Sequence, residues 1–200
     1  MIEIILILTA YLLGSIPSGV WIGKAFYKTD IRNHGSGNSG TTNTFRVLGK
    51  GAGTVVLIMD IAKGTLAVLL PVWFGLSIHP MIFGLFAIIG HVYPIFAGFK
   101  GGKAVATTAG VALGVQPLFV LILILLFAAV LYTSSMVSLA SVVTFVIAAI
   151  ASLFIGDWVF SMIVWIAMLL VVIRHRANIE RIRKGEENKV PFGLNKPEKK

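Results

Sequence analysis

Val115-Gln116-Pro117-Leu118-Phe119-Val120-Leu121-Ile122-Leu123-Ile124-Leu125-Leu126-Phe127-Ala128-Ala129-Val130-Leu131-Tyr132 contains no charged residue. A helix needs about 20 predominantly apolar residues to cross the hydrocarbon core of a bilayer, and this run comes close to that length. Met136–Ile155 is a second uncharged stretch of the same kind. The 200-residue chain is 57% hydrophobic and 12% charged, whereas soluble chains carry roughly a quarter charged residues. Composition therefore excludes a water-soluble domain. The lack of Cys excludes disulfides, thiolate metal ligands and a cysteine nucleophile.

Outward from that run, basic residues orient the chain. Five lie in 24–50 (Lys24, Lys28, Arg32, Arg46, Lys50), two in 98–103 (Lys100, Lys103) and nine from Arg174 onward; Lys63 stands alone. Cytoplasmic loops carry the excess of Lys and Arg, so all three clusters are expected on the cytoplasmic face, with Glu3, Ser77–Pro80 and Asp157 opposite. This segregation accounts for the net charge of +9 without invoking nucleic acid. Ile2–Gly23 has no basic n-region and reads as a retained first helix rather than a signal peptide. Gly53–Leu76 and Pro80–Ala97 follow as spans. From Lys103 to the basic tail the number of crossings must be even. Gly114-Val115-Gln116-Pro117 is the natural break, which gives an all-α polytopic bundle of seven transmembrane helices, the N-terminus outside and the C-terminus cytoplasmic. Five spans also satisfy parity if one stretch stays shallow. One membrane domain over 1–187 and a solvated basic cytoplasmic tail over 188–200 are expected, and no internal repeat is present.

Three polar segments carry the chemistry. In the first, His34-Gly35-Ser36-Gly37-Asn38-Ser39-Gly40-Thr41-Thr42-Asn43-Thr44-Phe45-Arg46, glycines let backbone N–H groups close on an anion. Hydroxyls and Asn amides donate, and a following helix adds its positive end. Arg46 supplies a planar cation for phosphate. The segment lacks the Lys-Ser/Thr of the nucleotide-binding P-loop. In the second, Gly90-His91-Val92-Tyr93-Pro94 runs on to Lys100-Gly101-Gly102-Lys103, two cations at the mouth of a small-residue helix. His91, inside the preceding helix, is more often a packing residue than a catalyst. In the third, Arg174-His175-Arg176-Ala177-Asn178-Ile179-Glu180-Arg181, His175 and Asn178 share a helix face, and a His there can act as general base. The alternative for this segment is a basic flank anchoring the helix to anionic headgroups. Asp60 and Lys63, three apart in an apolar segment, fit an internal ion pair as well as a ligand contact. The eight carboxylates are too dispersed to hold a divalent metal, so neither metal nor cofactor is expected.

Together the three motifs, in this order and spacing, resemble the bacterial membrane glycerol-3-phosphate acyltransferases that use acyl phosphate as donor. The resemblance implies transfer of a fatty acyl group to the sn-1 hydroxyl of glycerol 3-phosphate at the cytoplasmic side of the inner membrane. It further implies a soluble partner enzyme that forms the acyl phosphate. On that basis Gly35, Ser36, Gly37, Asn38, Gly40, Thr41 and Asn43 are expected to cradle the acyl phosphate, with Arg46 neutralising it. Lys103, Gly101 and Gly102 are expected to hold glycerol 3-phosphate, and His175 and Asn178 to orient its hydroxyl. Ser36, Arg46, His175 and Asn178 are the catalytic candidates, and Glu180 is a structural residue bonded to a neighbouring Arg. The competing classes are an organophosphate transporter, which needs polar residues along a path to the far side, and a lipid scaffold, which leaves the Gly/Ser/Asn segment without a purpose.

Overall fold

A computed structural model describes residues 1–197, and among these it contains nine α-helices, two 3₁₀ turns and no strand. The chain forms two compact units, Met1–Pro117 and Leu118–Lys200.

In the first unit the expected helix over 2–23 is broken. Helix α1 (Ile2–Gly14) and helix α2 (Ser18–Tyr27) meet at a bend of 49°. Pro17 has no N–H to donate and disfavours helical backbone at the residue before it. The break leaves carbonyls without helical donors, and Lys63 Nζ donates to one of them, Ile16 O, at 2.9 Å. Helix α3 runs Thr41–Trp73, starting well ahead of the expected residue 53, and turns sharply at Gly49, whose φ of +85° and ψ of −176° only glycine adopts readily. Helix α4 (Pro80–Val92) and helix α5 (Val105–Val115) complete the unit.

Small residues bring these helices together, as membrane packing favours. A Cβ at Gly64 of α3 would strike Thr107 O of α5, and one at Gly110 of α5 would strike Ile61 O of α3. Thr65 Oγ1 adds a 2.8 Å bond to Gly110 O. Helix α5 is therefore apolar but short, and it leans its backbone on α3. Leu6, Ala10, Ala67, Leu70, Phe83 and Ala87 form the apolar core between α1, α3 and α4.

The second unit holds α6 (Pro117–Ser134, reaching one residue back), α7 (Val137–Ser152), α8 (Trp158–Arg174) and α9 (Arg176–Arg183). The break expected at Gly114–Pro117 is where α5 ends and α6 begins. Ser161 Oγ of α8 donates to Ser152 O of α7 at 2.7 Å, and Phe119 meets Phe160 edge-on at 5.4 Å. Helix α9 bends from α8 by 57°. The described part of the tail is mostly exposed, but it is tied to the turn between α6 and α7. Val190 N donates to Ser135 O, Leu194 N to Tyr132 O and Ser135 Oγ to Phe192 O, each at 2.8 Å. The last three residues of that tail lie outside the described residues.

Among the described residues three helical segments are long and apolar enough to cross a membrane, or five if each bent pair counts as one span. Val105–Val115 and Val137–Ser152 are shorter apolar helices.

Candidate active site

The first polar segment is a loop closed on one buried side chain. Asn43, in the first turn of α3 and 1% exposed, places Nδ2 at 2.8 Å from Ile31 O, 3.1 Å from His34 O and 2.8 Å from Asn38 O. Its Oδ1 accepts from Ser36 N at 2.9 Å. The amide expected to touch a donor phosphate is instead committed to the loop's own backbone. Gly35 has a φ of +60°, and a Cβ there would collide with Asn43 Oδ1. Asn38 Oδ1 accepts from Gly40 N at 2.9 Å, which sets up Gly40 as the N-cap of α3. Ser36, Gly37 and Arg46 are exposed, on the open side of the loop. Thr41, also expected to face the ligand, points its hydroxyl to Asp60 Oδ2 at 3.2 Å.

Asp60 is the hub of a buried polar cluster. Besides Thr41 it accepts from Ser18 Oγ at 3.0 Å and pairs with Lys63 Nζ at 2.9 Å. His91 Nδ1 lies 3.8 Å from its Oδ1 and 3.0 Å from Thr107 Oγ1. The cluster therefore gathers the start of α2, the first turn and middle of α3, the end of α4 and the start of α5. By sequence alone Asp60 and Lys63 fit an ion pair as well as a ligand contact, and Ser18 does not stand out. The available signal was an acid and a base three apart in an apolar run, beside a Pro-Ser-Gly helix break.

The second segment is anchored through His91. Gly102 N donates to His91 O at 3.1 Å, and a Cβ on Gly102 would run into the His91 imidazole. Gly101 and Gly102 are both buried. The Gly102 N–H, expected beside the acceptor's phosphate, here serves the end of α4. Gly101 passes so close to the His91 and Val92 carbonyls that no side chain fits. These glycines place Lys103, which is partly exposed, at the head of α5.

Arg32 ties the two segments. Its Nε donates to Asp30 Oδ1 at 3.0 Å and its Nη2 to Asp30 Oδ2 at 2.7 Å, while Nη1 reaches Ala97 O at 3.1 Å, 65 residues away. The guanidinium holds the Asp30 carboxyl well below the usual carboxylate range, and Asp30 in turn raises Arg32 further. A planar fork suits this geometry, which an ammonium cannot reproduce.

In the second unit, His175 sits at the junction of α8 and α9, 3% exposed, with Nδ1 at 2.8 Å from Val171 O. A carbonyl only accepts, so Nδ1 carries a proton. Asn178 Nδ2 donates to Glu187 Oε1 at 2.7 Å. Glu187 also takes Ser138 Oγ at 2.9 Å and Arg181 Nε at 2.8 Å. The structural acid paired with Arg is therefore Glu187. Glu180, expected in that role, instead forms an exposed 2.8 Å pair with Lys184, because α9 turns its side chain outward.

Comparison with known proteins gives this arrangement a family. Residues 4–185 match the family described as glycerol-3-phosphate acyltransferase. The chain is 56% identical over 202 residues to a glycerol-3-phosphate acyltransferase of Streptococcus thermophilus, covering 96% of this chain and 95% of that one. Identity to the glycerol-3-phosphate acyltransferase of Streptococcus pneumoniae is 53% over 205 residues, covering 98% and 96%. Among solved structures, PlsY (YgiH), an integral membrane glycerol 3-phosphate acyltransferase, superposes in its glycerol 3-phosphate form with a TM-score of 0.89. That match has 37% identity and covers 95% of this chain and 96% of that one. Its lysophosphatidic acid form gives a TM-score of 0.86 at 36% identity, covering 94% and 95%. The chain is a membrane acyltransferase and belongs to the glycerol-3-phosphate acyltransferase family.

Proposed function

We propose that the acyl donor is acyl phosphate and the acceptor the sn-1 hydroxyl of glycerol 3-phosphate, giving lysophosphatidic acid and inorganic phosphate as the first step of bacterial phospholipid synthesis. The hydroxyl oxygen attacks the acyl carbonyl carbon, and an ester C–O bond forms. The bond from that carbon to the phosphate oxygen breaks. The hydroxyl proton passes to His175 or to the departing phosphate. Because phosphate is already a stable leaving group, the protein's share is positioning and charge stabilisation.

The observation that carries this reading is the bracing of two phosphate-suited loops within one unit through Arg32 and Ala97 O. In this assignment Gly35, Ser36, Gly37, Asn38 and Gly40 surround the donor phosphate, and Arg46 is its cation. Lys103 holds the acceptor's phosphate. Asn43, Thr41, Gly101 and Gly102 act from behind by shaping the loops. His175 and Asn178 keep the proposed role of orienting the attacking hydroxyl, with Glu187 fixing Asn178. An open apolar strip on α3, formed by Ile58, Ile61, Ala62, Thr65 and Leu66, offers an acyl chain from the lipid a surface to lie on.

Counting each bent pair once and including the two shorter apolar helices, we assign seven spans, with the N-terminus outside and the basic loops and active site on the cytoplasmic face of the inner membrane. A soluble enzyme that forms acyl phosphate is the expected partner. Purified protein in lipid, supplied with acyl phosphate and glycerol 3-phosphate, should release lysophosphatidic acid and phosphate in equal amounts. Absence of that product, or equal use of acyl-CoA, overturns the donor assignment. Arg46→Ala and Lys103→Ala should abolish turnover or sharply raise a substrate KM in folded protein.

A further inference from the structure

We propose that the buried Asp60–Lys63 pair is the positioning device of the donor loop, acting through the Thr41 hydroxyl at the first residue of α3. The inference rests on the donor assignment for residues 35–46.

Burying a salt bridge gains little stability over apolar residues of the same size, because desolvation of both charges consumes the attraction. Asp60 and Lys63 are 2% and 5% exposed, and small residues already bring α3 against α5. A purely structural contact at this position could be apolar. What the carboxylate adds is direction. Oδ2 takes Thr41 Oγ1 at 3.2 Å, and Oδ1 takes Ser18 Oγ at 3.0 Å and Lys63 Nζ at 2.9 Å. One side chain in the middle of α3 thus holds that helix's own first residue across the reversal at Gly49. The same carboxylate holds the start of α2.

The consequence falls on the donor loop. Thr41 follows Gly40, whose N–H is fixed by Asn38 and whose carbonyl takes Asn43 N and Thr44 N, so the position of Thr41 sets how the loop enters the helix. Without the Thr41–Asp60 bond, the segment ahead of Gly49 loses a tie to the rest of α3. A small cavity bounded by Ser18, Ser39, Asp60, Lys63 and His91 touches the loop at Ser39, so the cluster reaches the donor segment at a second point. Lys63 completes the device by neutralising Asp60 and by holding Ile16 O at the α1–α2 break. The acceptor segment is anchored on a backbone atom of α4, Gly102 N on His91 O, and meets Asp60 only through the His91 ring at 3.8 Å, so it is affected less.

The test is the charge-free pair Asp60→Asn with Lys63→Met, together with Thr41→Val and Thr41→Ser, in purified full-length protein. Where a cooperative thermal transition persists, KM for acyl phosphate should rise about tenfold in the double variant, with KM for glycerol 3-phosphate within about twofold; tenfold is the effect of one hydrogen bond to a charged group. Thr41→Val should reproduce the split, and Thr41→Ser should recover most of it. Hydrogen exchange without substrate reads the same device independently: amides of residues 36–44 should exchange faster in the double variant and in Thr41→Val. A folded variant with a wild-type donor KM, equal rises in both KM values, or unchanged exchange at 36–44 overturns the proposal. If the double variant does not fold, the Thr41 pair decides alone. A wild-type protein that cannot use acyl phosphate defeats the donor assignment, and exchange at 36–44 still decides whether Asp60 orders the loop.

Discussion

Asn43→Asp exchanges an NH₂ for an oxygen at nearly constant volume, so it isolates the polarity of the donor loop's anchor. Asn43 Nδ2 lies within reach of three carbonyls, Ile31 O at 2.8 Å, His34 O at 3.1 Å and Asn38 O at 2.8 Å. Two N–H groups serve these three acceptors, and a net hydrogen bond contributes about 1 kcal/mol. The donations alone are therefore worth about 2 kcal/mol, and Asp adds the cost of a buried charge facing carbonyl oxygens. A loss of about 3 kcal/mol in the loop's closed form corresponds to roughly 100-fold in occupancy of that form. The helices should survive, because Gly49 separates this first segment from the stretch of α3 that packs in the core. Initial rates at varied acyl phosphate should show kcat/KM down by roughly two orders of magnitude, with helical circular dichroism unchanged. A folded Asn43→Asp enzyme within threefold of wild type would refute the claim that this amide shapes the site.

Glu187→Gln keeps the shape but weakens the bonds to Arg181 and Asn178; thermal unfolding should show a loss of about 1–3 kcal/mol, the range for a weakened buried polar partner. The Asp30 carboxyl is held below its unfolded value, so its contribution is complete above about pH 4 and disappears as pH falls toward the folded value. Melting temperatures across the acid range should therefore fall more steeply in wild type than in Asp30→Asn. Gly102→Ala drives a methyl into His91; overpacking of this kind costs about 1–3 kcal/mol, readable as a lower melting temperature and a raised KM for glycerol 3-phosphate. Arg32→Lys keeps the charge but loses the fork joining Asp30 to Ala97 O. It should raise KM for glycerol 3-phosphate several-fold while retaining wild-type helix content by circular dichroism.

The helices were legible because uncharged runs near membrane length admit few other structures, and Gly114 and Pro117 punctuate the chain at the α5–α6 break. The α1–α2 bend was less legible. Apolar residues continue on both sides of Pro17, and hydropathy does not register the carbonyl that Lys63 satisfies. In the candidate site, residue types single out the loops but not which side chains face outward. Asn43 and Thr41 have the chemistry of ligands, and only the turn into α3 directs them inward. The exchange of Glu180 for Glu187 has a similar cause. Gly185, at a φ of +73°, reverses the chain after α9 and carries Glu187 back to Asn178, a fold-back that no helical spacing encodes.

The docking of residues 190–194 on the turn between α6 and α7 also bears on how the protein is made. Those residues are translated after α8 and α9, yet they complete the hydrogen bonding of a turn that emerges from the ribosome long before them. During membrane insertion the backbone at Tyr132 and Ser135 must wait, hydrated or chaperoned, for residues 190–194 to follow. The sealing of this turn is therefore set by the last of the contacting segments to be made, not by the helices that flank it, and a chain cut short before Val190 lacks these three bonds.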